Sequence, residues 1–172
     1  MKKILMLGGA MQQIPAIKCA KELGYYVITC DYLPENEGHK YADEYHNVST
    51  TDKEATLQLA KELAIDGIVA YASDPAAPTA AYVAEKLGLI GNPYHSVDIL
   101  TQKDLFREFL KDNGFNTPIA GGYDTYEEAR EDIERYHMPV MVKPVDSSGS
   151  KGVVRIYDKA ELYNAVEEAL SY

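Results

Sequence analysis

Short apolar runs alternate with amphipathic segments through the first ninety residues of the chain. Residues 4–7, 26–30 and 67–71 have the length and the composition of buried strands. The segments between them carry apolar residues at helical spacing, and Pro15 suits the first turn of one such helix. This alternation predicts an α/β fold built on a parallel, doubly wound sheet, with a further short strand at residues 89–90.

Helix starts are marked by a Thr or Asp that is followed three residues later by a Glu. In such a capping box each side chain satisfies a backbone N–H group that the first helical turn leaves without a partner. The signal predicts helices that begin at about residues 51, 125 and 158. The three pairs are Thr51 with Glu54, Thr125 with Glu128, and Asp158 with Glu161.

The rhythm changes near Asn92 and Pro93, and a different pattern follows. Apolar residues at helical spacing predict a helical region from residue 96 to about 113, which Gly114 stops. After it we expect a strand, a helix, the strand 140–142, a Ser/Gly loop, the strand 153–157 and a final helix. We therefore predict two domains, a doubly wound domain over residues 1–95 and a small α+β unit over residues 96–172.

Charge and hydropathy exclude several classes of function. The net charge of −10 argues against a general nucleic-acid binder and against docking on anionic lipid, both of which need a basic surface. The apolar run at the N-terminus stops at Gly8, and no stretch reaches the length of a membrane span. Cys19 and Cys30 lack metal-ligand spacing, which favours two reduced thiols. We expect a cytoplasmic protein.

A loop rich in serine and glycine is the strongest candidate for a binding site. Glycines allow backbone conformations in which several N–H groups point at one anion, and a lysine adds positive charge. Lys143 ends the preceding apolar strand, so its ammonium group can reach the same point. The alternative is a flexible hairpin with solvated lysines. The spacing is not that of a Walker A motif. The candidate phosphate-binding residues of the loop are Ser147, Ser148, Gly149, Ser150, Lys151 and Gly152.

The segment 142–153 resembles the central lysine and glycine-rich loop of ATP-grasp enzymes. The resemblance is to the branch that contains carbamoyl-phosphate synthase, biotin carboxylase and the purine-biosynthetic carboxylate ligases. Residues 100–107 and 114–118 are similar to the K-x-x-x-R/K and G-x-x-x-P stretches of that family. The first ninety residues, with Gly8 and Gly9 after the first strand, resemble its pre-ATP-grasp domain, so the resemblance covers essentially the whole chain.

The resemblance implies roles for individual residues. Lys103 and Lys143 would contact the phosphates of ATP, and the loop ending at Gly152 would close over the β- and γ-phosphates. Family members use ATP and Mg²⁺ to convert a small carboxylate into an acyl phosphate, which an amine, ammonia or another nucleophile then attacks. Relatives are often dimers through their first domain, which makes a homodimer an alternative here.

The metal-binding half of the family's site has no counterpart in the sequence. The Glu…Glu-x-Asn constellation that would hold Mg²⁺ is absent, and the acidic residues of segment 127–134 have the pattern of a solvated helix face. We therefore expect no metal ligand in this chain. We expect it to be the N-terminal part of a longer ligase or of a complex, inactive alone. The alternative from another class is a non-enzymatic nucleotide-binding or regulatory module.

Two further loops are candidates for the substrate. Gly8 and Gly9 would face the carboxylate or the acceptor, although a plain tight turn explains them as well. Asp31 lies where a dinucleotide-binding fold places its ribose-binding acid. However, Gln13 stands in place of the third glycine of the G-x-G-x-x-G motif of that fold. A nicotinamide-dependent enzyme is therefore the less favoured alternative. Asp74 could contact the substrate or cap the helix that follows it.

Overall fold

The computed structural model describes every residue of the chain except Ser148. Its contacts divide the chain into two compact units, Met1–Thr101 and Gln102–Tyr172. The first unit holds a four-stranded sheet and the second a two-stranded sheet, which confirms the predicted α/β class. The domain boundary expected near residue 95 stays a prediction.

The first unit is built on a parallel sheet with the strand order β3-β2-β1-β4. Leu5 at its centre pairs with Ile28 on one side and Ile68 on the other. The strands are β1 (Lys3–Leu7), β2 (Tyr26–Cys30), β3 (Glu44–His46) and β4 (Gly67–Ala70). The helices are α1 (Ile14–Glu22), α2 (Lys53–Leu63), α3 (Ala77–Leu87) and α4 (Tyr94–Thr101), and 3₁₀ turns cover Met11–Gln13 and Glu37–Tyr41.

Both faces of this sheet are covered, which explains the nearly continuous apolar runs. Leu5 and Leu7 lie in one cluster with residues of α2 and α3. Met6, which points to the opposite face of β1, lies in another cluster with Ile17 of α1 and Val27 of β2.

Two local predictions for this unit are wrong, and one strand was not predicted. Residues 89–90 form no strand, and the side chain of Ile90 is fully exposed. The strand β3 was not foreseen, because its residues are polar and only half-buried at the sheet edge. Asp52, one residue beyond the expected Thr51, is the cap of α2, and its carboxylate accepts a hydrogen bond from the Ala55 N–H group at 3.0 Å.

The second unit packs two helices against an antiparallel strand pair, in which Val140 pairs with Ile156. Its core is formed by apolar residues of the strand pair and of the two helices that cover it. Thr125 and Asp158 cap their helices as predicted. The elements are α5 (Lys103–Asp112), α6 (Tyr126–Asp132), β5 (Val140–Val142), β6 (Val154–Ile156) and α7 (Leu162–Leu170), with 3₁₀ turns at Ile133–Arg135 and Lys159–Glu161.

Two predictions differ for the chain that leads into this unit. The helical region expected from residue 96 is interrupted at Gln102, whose extended backbone separates α4 from α5. The strand expected after Pro118 does not form, and residues 115–123 have no helix or strand. Across the described parts of both units, no helix is long and apolar enough to cross a lipid bilayer.

Candidate functional site

Strand β5 carries Lys143 to the start of the serine- and glycine-rich loop, Asp146–Gly152, which we call the phosphate loop. Val142 is the last residue of the strand, and Lys143 follows it with an exposed side chain. No hydrogen bond joins that side chain to any other described residue. Its ammonium group is therefore exposed at the end of the strand, where the sequence placed it, and its contact with phosphate stays a prediction.

The two ends of the phosphate loop are packed together at its base. Gly152 is buried and has a φ of +63°. A Cβ atom there would lie 2.6 Å from the ring of Tyr172 and 2.9 Å from Cγ of Pro144. Close packing and the left-handed backbone both require glycine at this position. The base is thus fixed at the residue after Lys143 and again at Gly152.

The tip of the phosphate loop is open to solvent. Gly149 and Ser150 are exposed, and both have left-handed backbones with φ of +68° and +60°. Just before them, the hydroxyl of Ser147 donates to the carbonyl oxygen of Lys151 at 3.3 Å. Ser148 lies outside the described residues. The tip therefore leaves room for an anion beside its backbone N–H groups, and its contact with phosphate stays a prediction.

Lys103 reaches the phosphate loop from α5, although more than forty residues separate them in sequence. Its ammonium group donates to the carbonyl oxygens of Ser147 at 2.6 Å and of Val145 at 3.1 Å. Its backbone N–H group also donates to Val145, at 3.0 Å. The structure therefore brings Lys103 to the start of the loop, where the ammonium group binds loop carbonyls. That contact was not foreseen from the sequence.

The loop after β1 is held by a buried carboxylate. Gly8 takes a φ of +101°, and the N–H group of Gly9 donates to Oδ2 of Asp31 at 3.2 Å. The same oxygen accepts from the Asn36 amide at 2.8 Å, and Oδ1 accepts from the Leu33 N–H group at 3.1 Å. Both oxygens of Asp31 are therefore engaged within the unit, which disfavours their use for a ribose.

His39 packs against the same loop, and no pattern in the sequence indicates this contact. One ring nitrogen lies 2.9 Å from Oγ1 of Thr29 and the other 3.2 Å from the carbonyl oxygen of Leu33. A Cβ atom on Gly9 would lie 2.1 Å from this ring, and Gly38 donates its N–H group to the Gly9 carbonyl at 2.7 Å. Gly9 is thus the residue that lets the loop and the histidine approach.

Gln13 links the loop after β1 with the loop after β4. Its side chain is buried, and its amide donates to the carbonyl oxygens of Tyr71 at 3.0 Å and Ala72 at 3.3 Å. Ala72 has a left-handed backbone with φ of +51°. The residue that breaks the dinucleotide motif is therefore a structural brace between the two loops in which Gly8 and Asp74 lie.

Asp74 is exposed at the carboxyl end of β4, where parallel sheets bind ligands. The helix that follows has Ala76 at its cap position and no side-chain capping bond, so the capping alternative is wrong. Only the backbone carbonyl of Asp74 contributes there, accepting from Ala77 at 3.1 Å. Its contact with a substrate stays a prediction.

Neither a reactive thiol beside the Gly8 loop nor a cluster of metal-binding side chains is present among the described residues. Cys30 lies beside the Gly8 loop, but burial, followed by the charge of Asp31, raises its pKa to about 12, so it remains a neutral thiol rather than a nucleophile. Within the described residues, no three His, Cys, Asp or Glu side chains cluster closely enough to hold a metal ion.

Comparison with curated proteins gives relatives that align along nearly the whole chain. The carbamoyl phosphate synthase large chain, C-terminal section, of Aquifex aeolicus is 25% identical over 99% of this chain and 34% of its own length. The formate-dependent phosphoribosylglycinamide formyltransferase of Rhodococcus jostii is 28% identical over 98% of this chain and 42% of its own. The chain thus spans well under half of these proteins. No family model matches the sequence.

Solved structures agree with these relatives. The L-amino acid ligase from Bacillus licheniformis is 28% identical with a TM-score of 0.73, over 97% of this chain and 42% of its own. The N5-carboxyaminoimidazole ribonucleotide synthetase from Thermotoga maritima is 26% identical with a TM-score of 0.72, over 95% of this chain and 43% of its own. A biotin carboxylase domain dimer from Hydrogenobacter thermophilus, solved with MgADP and bicarbonate, is 24% identical and shares the fold, with a TM-score of 0.75 over 99% of this chain and 41% of its own.

Proposed function

We propose that this chain, which matches the N-terminal portion of the ATP-grasp ligases in sequence and fold, supplies half of the nucleotide clamp of an ATP-dependent carboxylate ligase. The whole enzyme would join a carboxylate to an amine or a related nucleophile through an acyl phosphate. Similarity to several such ligases along nearly the full chain supports this proposal. The chain covers less than half of each relative, and the other half of the clamp would be supplied by a longer protein or by a partner chain.

The second unit would bind the phosphates of ATP. The observation that carries this role is the exposed ammonium group of Lys143, which a strand presents beside a loop whose base is fixed. Lys151 and the backbone N–H groups of the tip, Gly149 and Ser150, would add to the positive field at the same place. A bound ATP would supply the phosphoryl group that activates the carboxylate. The positive field would stabilise the negative charge of that phosphoryl group during its transfer.

The first unit would hold the carboxylate substrate at the carboxyl edge of its sheet. Gly8 and Gly9 form a loop that a buried carboxylate and a histidine fix in place, and Asp74 stands exposed on the neighbouring loop. A preformed edge of this kind suits a small ligand, because the loops lose little conformational entropy when the ligand binds.

Mg²⁺ would come with the nucleotide, and its protein ligands would lie outside the described residues, which hold no cluster for it. The chain alone would then be inactive and would act within a longer protein or a complex in the cytoplasm. A homodimer through the first unit is an alternative assembly. A nucleotide-binding module without catalysis is the alternative from another class, because the exposed Lys143 and the phosphate loop would serve either function.

Isothermal titration calorimetry with ATP tests the phosphate site. Lys143→Ala should weaken ATP binding by roughly 10- to 100-fold, because a charge-assisted hydrogen bond contributes about 1.5–3 kcal/mol. Lys111→Ala is the matched control, since Lys111 is an exposed lysine in the last turn of α5. Equal ATP affinity in the wild type and in Lys143→Ala would contradict the assignment. Tighter binding of NADH than of ATP would favour the nicotinamide-dependent alternative.

A further inference from the structure

Lys103 holds the chain that leads into the phosphate loop. Its ammonium group donates to two backbone carbonyl oxygens, those of Val145 and Ser147. Both carbonyls lie beyond the ladder of β5 and β6, which ends at the pair of Val142 and Val154. The segment 145–147 is therefore outside the sheet, and Lys103 contributes three of its hydrogen bonds when its own backbone N–H group is included.

The two carbonyl oxygens depend on Lys103 in different ways. Val145 accepts from both the ammonium group and the backbone N–H group of Lys103. Ser147 accepts from the ammonium group at the shorter distance of 2.6 Å. Loss of the side chain would thus remove one of two described bonds at Val145 and the described bond of Lys103 to Ser147.

A phosphate would compete for the same ammonium group. Lysine has three rotatable N–H donors on a flexible stem, so the group can turn from one acceptor to another without moving α5. A phosphate oxygen carries negative charge, and charge-assisted hydrogen bonds between an ammonium group and an anion are stronger than those to a neutral carbonyl. A nucleotide phosphate beside the loop would therefore draw the ammonium group away from the carbonyls.

We propose that Lys103 is a positioning residue for the phosphate loop, which it holds through the carbonyls of Val145 and Ser147 until a nucleotide phosphate takes its ammonium group. The exchange couples nucleotide binding to release of the segment 145–147, and it rests on the proposed function. A lysine that only binds phosphate would leave the nucleotide-free loop unaffected. The distinguishing effect is therefore one seen before any nucleotide is added.

Carbonyl ¹³C chemical shifts of the 172-residue chain test the first half of the proposal, because they report hydrogen bonds at each carbonyl. In the nucleotide-free chain, Lys103→Met should shift the Ser147 carbonyl upfield and the Val145 carbonyl by less. Lys103→Arg, which keeps donors at this position, should restore most of both shifts, and Lys111→Met should change neither. Unchanged Ser147 and Val145 shifts in Lys103→Met, or equal changes throughout the second unit, would overturn the proposal.

ATP tests the second half of the proposal. Saturating ATP should move the Ser147 carbonyl shift of the wild type toward the value in nucleotide-free Lys103→Met. The shift of the variant itself should move less. If ATP binds by calorimetry and the wild-type shift stays where it was, the exchange is wrong although the proposed function stands. If ATP does not bind at all, the proposed function fails, and the nucleotide-free comparison still decides whether Lys103 holds the loop.

Discussion

Single residues set the shape of both candidate sites by letting backbone and side chains come close. Gly9 accommodates the ring of His39, and Gly152 accommodates Pro144 and Tyr172. The glycine-rich character of both loops could be predicted from the sequence. The partners could not, because the contacts of Gly9 and Gly152 depend on how distant turns of the chain return to the same place.

Gly9→Ala should destabilise the chain by about 2–3 kcal/mol, because the added methyl group overlaps the His39 ring and forces it off its two hydrogen bonds. Gly67→Ala is the control, since a Cβ atom there meets its nearest neighbour at 3.9 Å. That change should be neutral or stabilising by up to about 1 kcal/mol. Urea unfolding measures both, and equal stability of the two variants would argue against close packing at Gly9.

The position of Lys143 at the end of β5 could be predicted and the bracing role of Gln13 could not, while the contact of Lys143 with phosphate stays a prediction. A lysine at the end of an apolar strand is visible in the sequence, and the structure leaves its side chain exposed there. In the sequence, Gln13 is recognisable only as the residue that replaces the third glycine of the dinucleotide-binding motif. Its acceptors, Tyr71 and Ala72, are 58 and 59 residues away, so its bracing role depends on the tertiary fold.

At the scale of elements, strands made of apolar runs could be predicted from the sequence and a short polar strand could not. Strands β1, β2 and β4 have apolar runs that few other structures could bury. The strand β3 has three half-buried residues, and its pairing with β2 decides its conformation. Residues 89–90 show the opposite error, since an apolar pair is too short to specify a strand without a paired neighbour.

The start of α2 gives a test at this scale. Asp52→Ala should destabilise the chain by about 1 kcal/mol, because the N–H group of Ala55 loses its acceptor. Thr51→Ala should destabilise the chain less, since the one hydrogen bond of the Thr51 hydroxyl among the described residues is to the Ser49 hydroxyl at the exposed surface. Thermal unfolding compares the two variants. A larger loss of thermal stability in Thr51→Ala than in Asp52→Ala would indicate that Thr51 is the helix cap, as the capping-box pattern predicts.

At the scale of the whole molecule, the two units carry different candidate binding sites. The first unit offers a parallel sheet with a preformed carboxyl edge, and the second offers an exposed lysine beside a glycine-rich loop. The order of these parts could be predicted because the apolar rhythm changes between them. The expectation that the metal ligands lie elsewhere rests on the resemblance alone and stays a prediction.

Turnover provides a test at this scale. The purified 172-residue chain should form no ADP above background when it is given ATP, Mg²⁺ and a panel of small carboxylates with ammonia or amines. Under the proposed function, the reason is that the chain spans less than half the length of the ligases it resembles, so the residues that complete the active site would lie elsewhere. A coupled assay for ADP measures this. Carboxylate-dependent ADP formation by the chain alone would contradict the proposed division of the active site.

The central claim is that the second unit binds the phosphates of ATP, and amide chemical-shift mapping tests it most directly. On titration of the ¹⁵N-labelled chain with ATP, the largest changes should fall on Lys143 and on Gly149 to Gly152, with smaller changes at Lys103. Amides at Gly8, Gly9 and Asp31 should move little. The largest changes at Gly8, Gly9 and Asp31 instead, with the phosphate loop unmoved, would contradict the claim and indicate a nucleotide site on the first unit.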